Sequence, residues 1–313
     1  MNRDRLAHFL FPLSGFLFLS FCLWVLNHQL CRYDLNDVLT SLSAIGDRQL
    51  FLALGFTIIG YSVISTYDIV AFRCINYFLD SNKIILTSFI TYAVSNTTGF
   101  TLLIGGGIRY RFYSRWGLPA RKIVKVTAFG NLTFWLGLLS LNGIVFVANP
   151  LKPPDFLNLD LLVIRYLGII FLILIGVYLY FGCTKKTFKI KNQTIFFPKP
   201  IITLCQIAVF SLDWALAAAV LYALLPNYFD SSYLSFFRIY LLSMTASMIS
   251  NIPGGIGVFE TIIIFLLPRT IATPDILGSL LAYRAIRFLL PLGVAISLVT
   301  YFEIRQKIRI SKG

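Results

Sequence analysis

Charge is what this sequence has least of: only 13% of its 313 residues are Asp, Glu, Lys or Arg, against about 25% in a soluble domain. With 58% hydrophobic residues and a mean hydropathy of +0.80, that scarcity excludes a soluble globular chain. Histidine is nearly missing too. His8 and His28 are the only two; they lack metal-ligand spacing and stand beside no nucleophile, so no metal site and no histidine-based catalysis is expected. The five cysteines, Cys22, Cys31, Cys74, Cys183 and Cys205, are odd in number and scattered, which excludes a closed disulfide framework. Phosphate-binding loops are also lacking. The glycines Gly105 to Gly107 lead into Ile108-Arg109-Tyr110-Arg111-Phe112-Tyr113, without the Gly-Lys-Ser/Thr or strand context of a nucleotide site. No cofactor and no catalytic residue is expected.

What is abundant is apolar sequence in long runs. Windows long enough to cross a bilayer, about 20 residues each, cover residues 8–26, 50–72, 123–147, 161–182, 201–225 and 276–302. The first has a basic flank, Arg3 and Arg5, like a secretory signal, but no small-residue cleavage site follows it. It reads as a permanent helix, giving six spans. Two further apolar stretches, 84–104 and 234–267, are interrupted by Ser95-Asn96-Thr97-Thr98-Gly99 and Ser250-Asn251-Ile252-Pro253-Gly254.

The net charge of +14 does not call for nucleic acid, because cytoplasmic loops of membrane proteins are enriched in Lys and Arg. Basic clusters lie at Arg3 and Arg5, from Arg109 to Lys125, from Lys185 to Lys199, and from Arg305 to Lys312, whereas the loops with Asp34, Asp37 and Asp47, with Asp155 and Asp160, and with Asp230 are neutral to acidic. Threading the chain so that the basic segments share one side places both termini in the cytoplasm. Each interrupted stretch must then return to the side it left. The expectation is an all-α polytopic membrane protein, six spanning helices plus two re-entrant helical hairpins. It forms one membrane domain over 1–313, built as an inverted-topology repeat of 1–148 and 149–313. Asn96 and Asn251 stand 155 positions apart, as do Pro119 and Pro274, and Ala128 and Phe134 precede Ala282 and Phe288 by 154.

Paired helix breaks in two halves point to a transporter's binding site. Non-helical backbone at membrane depth must be buried in protein or line a wet cavity, so two opposed hairpins can bound such a cavity. Asn96, Thr97, Thr98 and Asn251 then either bind a polar ligand group or cap helix ends. Arg284 and Arg287, three apart on one helix face, suit an anion such as phosphate, with Glu260 as the expected neutralising partner; a structural ion pair is the alternative. Asp68 and Asp213 can relay protons, bind a cationic group, pair with Arg73 or cap a neighbouring helix. Arg109 and Arg111, beside glycines and aromatic rings, suit a lipid head group or an ordinary interfacial anchor.

Tyr67-Asp68, Ser88-Phe89, Tyr92-Ala93, Asn96, Gly99-Phe100, the Gly-Gly-Gly-Ile-Arg-Tyr-Arg-Phe-Tyr run with Gly117-Leu118, the stretch from Ser250 to Glu260, Tyr283-Arg284 and Leu289-Leu290-Pro291-Leu292 resemble the transmembrane region of lysylphosphatidylglycerol synthases of the MprF type. The likeness runs from about Tyr67 to Leu292, and Asn251-Ile252-Pro253-Gly254-Gly255-Ile256-Gly257-Val258-Phe259-Glu260 is its most specific part. In that family the region is the flippase part, which moves aminoacylated phosphatidylglycerol to the outer leaflet, and a soluble synthase domain follows it. Here the sequence stops at Gly313, shortly after the last span, so this chain is expected not to be an enzyme. The resemblance implies a translocase of a phospholipid or aminoacylated phospholipid, with the head group held by Asn96, Gly99, Arg109, Arg111, Asn251, Gly254, Gly255, Glu260, Arg284 and Arg287, and with a separately encoded synthase as a candidate partner. A secondary transporter of a small anionic or polar solute, or a non-transporting scaffold, remains open. The oligomeric state is not readable.

Overall fold

Proline and glycine mark most of the places where this chain changes direction. The structure, a computed structural model, describes residues 35–99, 102–150, 160–184, 188–190, 193–195, 198–250 and 253–311. The expected first span at 8–26, Asn251, and Cys22, Cys31, His8 and His28 lie outside the described residues. The helices are α1 (Leu35–Ser43), α2 (Asp47–Cys74), α3 (Ser81–Thr98), α4 (Leu103–Arg115), α5 (Ala120–Ala148), α6 (Leu161–Thr184), α7 (Pro200–Leu224), α8 (Tyr233–Ile249), α9 (Val258–Leu266), α10 (Thr273–Arg284) and α11 (Leu290–Ser311). A two-stranded antiparallel ribbon, β1 (Phe188–Ile190) and β2 (Gln193–Ile195), occupies the lysine-rich connection between α6 and α7. The all-α expectation holds except for this ribbon.

Among the described residues, five helices are long and apolar enough to cross a membrane: α2, α5, α6, α7 and the continuous run Thr273–Ile304 formed by α10 and α11. Their outward faces remain apolar, with Phe51, Ile58, Val124, Ile144, Ile173 and Ile201 all exposed, as helices facing lipid require. Helix α6 is the most peripheral; it buries Ile164, Gly168, Ile175 and Gly182, one narrow stripe. That stripe packs on α5 through two glycines, since a Cβ on Gly168 would come within 3.1 Å of the Gly143 carbonyl oxygen. Small residues at such a crossing let backbones approach where lipid supplies no hydrophobic drive.

Both interrupted stretches fold as helical hairpins. Helix α3 ends at Gly99, whose φ of 79° caps it in the left-handed region, a conformation that glycine adopts without steric cost. Helix α4 then runs back along α3: Gly105 faces Ser95 and Thr91, and at the open end Lys83 lies 5.8 Å from the Trp116 ring centroid. In the second hairpin, the described part of the connection between α8 and α9 contains a 3-10 turn, Pro253–Gly255, and Gly254, Gly255 and Gly257 take φ values of 63°, 60° and 95°. A Cβ on Gly255 would fall 1.6 Å from the Ser247 hydroxyl oxygen, so only glycine lets this turn lie on α8.

The two hairpins open toward opposite ends of the helix bundle. At one end Arg111 and Arg115 of α4 reach Glu303 near the end of α11 at 2.8 and 2.9 Å, and Phe302 packs on Phe112 and Trp116. At the other end, Ser41 of α1 donates to Asp275 at 2.6 Å, Tyr228 also donates to Asp275, and Gln49 donates to the Leu225 carbonyl at 2.7 Å. The loop into α8 and the start of α10 meet here. The tips of the hairpins meet between these ends: a Cβ on Gly254 would stand 2.9 Å from the Thr97 carbonyl oxygen.

Candidate functional site

Beside the meeting tips lies a cavity of about 500 Å³. Asn96, Gly99, Gly254, Gly255, Asp213, Arg284 and Arg287 line it, and its aromatic walls include Tyr67, Tyr92, Trp214, Tyr240 and Tyr283. Its lining also includes Leu102, Leu103 and Trp135, which are 54%, 75% and 48% exposed; among the described residues the cavity thus reaches the apolar outer surface sideways, between the first tip and α5.

Three buried ion pairs organise the protein around this space. Asp68 of α2 receives two hydrogen bonds from Arg109, at 2.9 and 2.7 Å, and a third from the Tyr113 hydroxyl at 2.7 Å. The Arg109 guanidinium also lies 5.0 Å from the Tyr92 ring centroid. This pair clamps the returning arm of the first hairpin onto α2. Arg284 donates to Glu260 at 2.8 and 2.6 Å and to the Gly254 carbonyl at 2.9 Å, while the other carboxylate oxygen of Glu260 accepts from the Gly257 amide at 2.7 Å. Glu260 thereby caps the first turn of α9, where freed amides favour an anion. One arginine thus ties the second tip to α10. Arg287 donates to Asp213 of α7 at 2.8 Å and lies 4.9 Å from the Tyr61 ring centroid.

Removing a charge from such a pair is costly because the remaining charge stays buried, and the pair itself is held only where its other hydrogen-bonding positions are met. Arg287 departs from that rule. Its Nη1 has no hydrogen-bond partner among the described residues, nor do the Tyr67 and Ser95 hydroxyls, and all three residues border the cavity.

The helix carrying Arg284 and Arg287 is itself irregular. Ala285–Leu289 forms a π turn between α10 and α11, and Pro291 follows. Proline has no amide hydrogen, so the carbonyl of Arg287 loses its ordinary donor; the Tyr61 hydroxyl of α2 supplies one instead at 3.2 Å. The Asn96 side chain interacts with the same hydroxyl. The first tip, α2 and the π turn are therefore joined at a single oxygen.

The candidate residues are thus divided. Asn96, Gly99, Gly254, Gly255, Arg284 and Arg287 are gathered on the cavity, with Glu260 directly behind and Asp213 in the wall. Arg109 is fully engaged with Asp68, one layer deeper; Asp68 has Arg109 rather than Arg73 as its partner. Arg111 lies away from the cavity, against Glu303, because residues two apart on a helix point to different sides. Gly105 to Gly107 are helical, and Gly105 serves close packing on Ser95. Of the aromatic walls, Tyr67, Tyr92 and Tyr283 enter the sequence reading only through the family resemblance and not as site residues, although they stand next to, or one turn from, Asp68, Asn96 and Arg284. Among the described residues no cluster of metal-ligating side chains occurs, and Cys74, Cys183 and Cys205 are free thiols.

Composition, helix lengths and the exposed apolar belt together define a multi-pass α-helical membrane protein. Comparison with known proteins gives its relatives. An uncharacterized protein of Synechocystis sp., slr0712, is 41% identical over 91% of this chain and 90% of its own length. The inner membrane protein YbhN of Escherichia coli is 34% identical over 82% of this chain and 81% of its own. The chain belongs to the YbhN family. More distantly, phosphatidylglycerol lysyltransferase of Staphylococcus aureus is 23% identical over 93% of this chain, and this chain spans only 33% of that protein's length. The resemblance to the MprF type is therefore found across the chain, at low identity. No family model matches the sequence.

Proposed function

We propose that this protein moves a polar-headed membrane lipid between the leaflets of a bacterial inner membrane, and that it does so without enzymatic activity of its own. The observation that carries the reading is the cavity between two opposed hairpin tips, lined by polar groups inside and open sideways past Leu102, Leu103 and Trp135. A sideways mouth lets acyl chains stay in the bilayer while the head group enters. A closed central chamber would instead favour a water-soluble solute.

The order span, hairpin, span recurs on both sides of residue 148, with the hairpins facing opposite ends of the bundle. This supports reading 1–148 and 149–313 as inverted repeats, and inverted repeats work by one half rocking against the other around a fixed site. In this account the hairpins are re-entrant from opposite membrane faces and both termini are cytoplasmic. Head groups are met by Asn96, Arg284 and Arg287. Asp213 sets the position of Arg287.

The test is lipid crossing in proteoliposomes, with the double variant Arg284→Ala, Arg287→Ala and, separately, Arg287→Lys, which retains charge but loses the planar fork. Crossing that is accelerated by the native protein and lost in both variants, with folded variants confirmed by gel filtration, supports the site. Unchanged rates in both would refute it.

A further inference from the structure

We propose that the cavity selects an uncharged, hydroxyl-bearing head group of the sugar type over an anionic phosphate head, a proposal that rests on the lipid-translocation reading of the same site. The charges come first. Arg109, Arg284 and Arg287 each face a carboxylate, Asp68, Glu260 and Asp213, at 2.9 Å or less. The cluster is therefore neutral in sum, with no surplus cation for a phosphate. An incoming anion would have to displace a buried carboxylate and leave it unpaired, the arrangement that costs most in a low-dielectric interior. An uncharged head group leaves all three pairs intact.

Hydrogen bonding points the same way. Tyr67 and Ser95 border the cavity, are each no more than 4% exposed, and carry hydroxyls without a hydrogen-bond partner among the described residues; the Tyr92 hydroxyl, also on the cavity, accepts from Arg109 and keeps its own hydrogen to donate. Native proteins satisfy nearly all buried polar atoms, so a group of unmatched ones beside a cavity calls for a ligand or water to complete it. A hydroxyl both donates and accepts; its natural complement is another hydroxyl. A phosphate only accepts. The walls include the aromatic side chains of Trp214 and Tyr283, which offer apolar surface to the C–H faces of a sugar ring.

Binding can be read apart from transport. The detergent-solubilised full chain is mixed with equal amounts of monoglucosyl diacylglycerol, phosphatidylglycerol and phosphatidylethanolamine of identical acyl chains, and retained lipids are counted by native mass spectrometry. The glucolipid should be retained about fivefold over either phospholipid, the ratio that about one net hydrogen bond confers. The double variant Tyr67→Phe, Tyr92→Phe, which removes only two hydroxyls, should abolish the preference without lowering the yield of folded protein. Equal or stronger retention of either phospholipid, or a preference untouched by the double variant, overturns the proposal. If the glucolipid is selected but does not cross in vesicles, translocation fails while the head-group assignment stands.

Discussion

The Tyr61 hydroxyl donates to the main-chain carbonyl of Arg287 at 3.2 Å, the carbonyl that Pro291 leaves without a helical donor. Two residues 226 positions apart thus hold the π turn that presents Arg287 to the cavity. Replacing Tyr61 with Phe should destabilise the protein by about 1–3 kcal/mol, the cost of orphaning a buried acceptor. In a Pro291→Ala background, where an amide hydrogen returns, the same change should cost clearly less. Apparent melting temperatures of the four proteins in detergent measure this coupling.

Gly60 sits against the other side of Arg287. A Cβ there would come within 2.8 Å of Nη1, and because the obstacle is the end of a flexible side chain, the guanidinium should shift rather than the backbone. Gly60→Ala is expected to lower lipid crossing severalfold with little change in melting temperature. A large loss of stability with normal transport in the folded fraction would contradict it.

Ion pairs of different burial should respond differently. Asp68→Asn leaves Arg109 buried beside a neutral amide and should cost about 3–5 kcal/mol. Arg111→Gln breaks a partly buried contact to Glu303 that Arg115 shares and should cost no more than about 1 kcal/mol. Melting curves of the two variants, side by side, provide the comparison.

At the second tip, Gly255→Ala meets two obstacles, a φ of 60° and the Ser247 hydroxyl 1.6 Å from the new Cβ. The variant should lose transport and much of its stability. Adding Ser247→Gly should recover part of both, leaving a residual penalty of about 1–2 kcal/mol for a left-handed alanine. Full recovery would show that contact alone matters; none would show that the backbone conformation dominates.

Much of this architecture is written locally. The long apolar runs, and glycines placed where a helix must turn into the left-handed region, mark the spans and both hairpin tips without any knowledge of tertiary contacts. Glu260, just after the second break, was readable as the partner of Arg284 and Arg287, and it is the partner of Arg284; Arg287 instead pairs with Asp213, which is 74 positions away and on another helix. Asp68 was harder: its partner Arg109 lies 41 positions away and reaches it only because α4 folds back along α3. The division between Arg109 and Arg111 depends on helical phase in a segment whose glycines obscure its helicity. The π turn leaves a trace in Pro291, yet its position requires Tyr61 from another helix. The β1–β2 ribbon sits in a lysine-rich segment that reads simply as a polar loop.

The most direct test of the account is the rate at which a fluorescent lipid becomes accessible to dithionite in vesicles that hold the purified protein, compared with vesicles that hold none. The account predicts faster crossing with the native protein and a return to the protein-free rate when Arg287 is replaced by Lys. Equal rates in native and protein-free vesicles, for glucolipid and phospholipid alike, would contradict it.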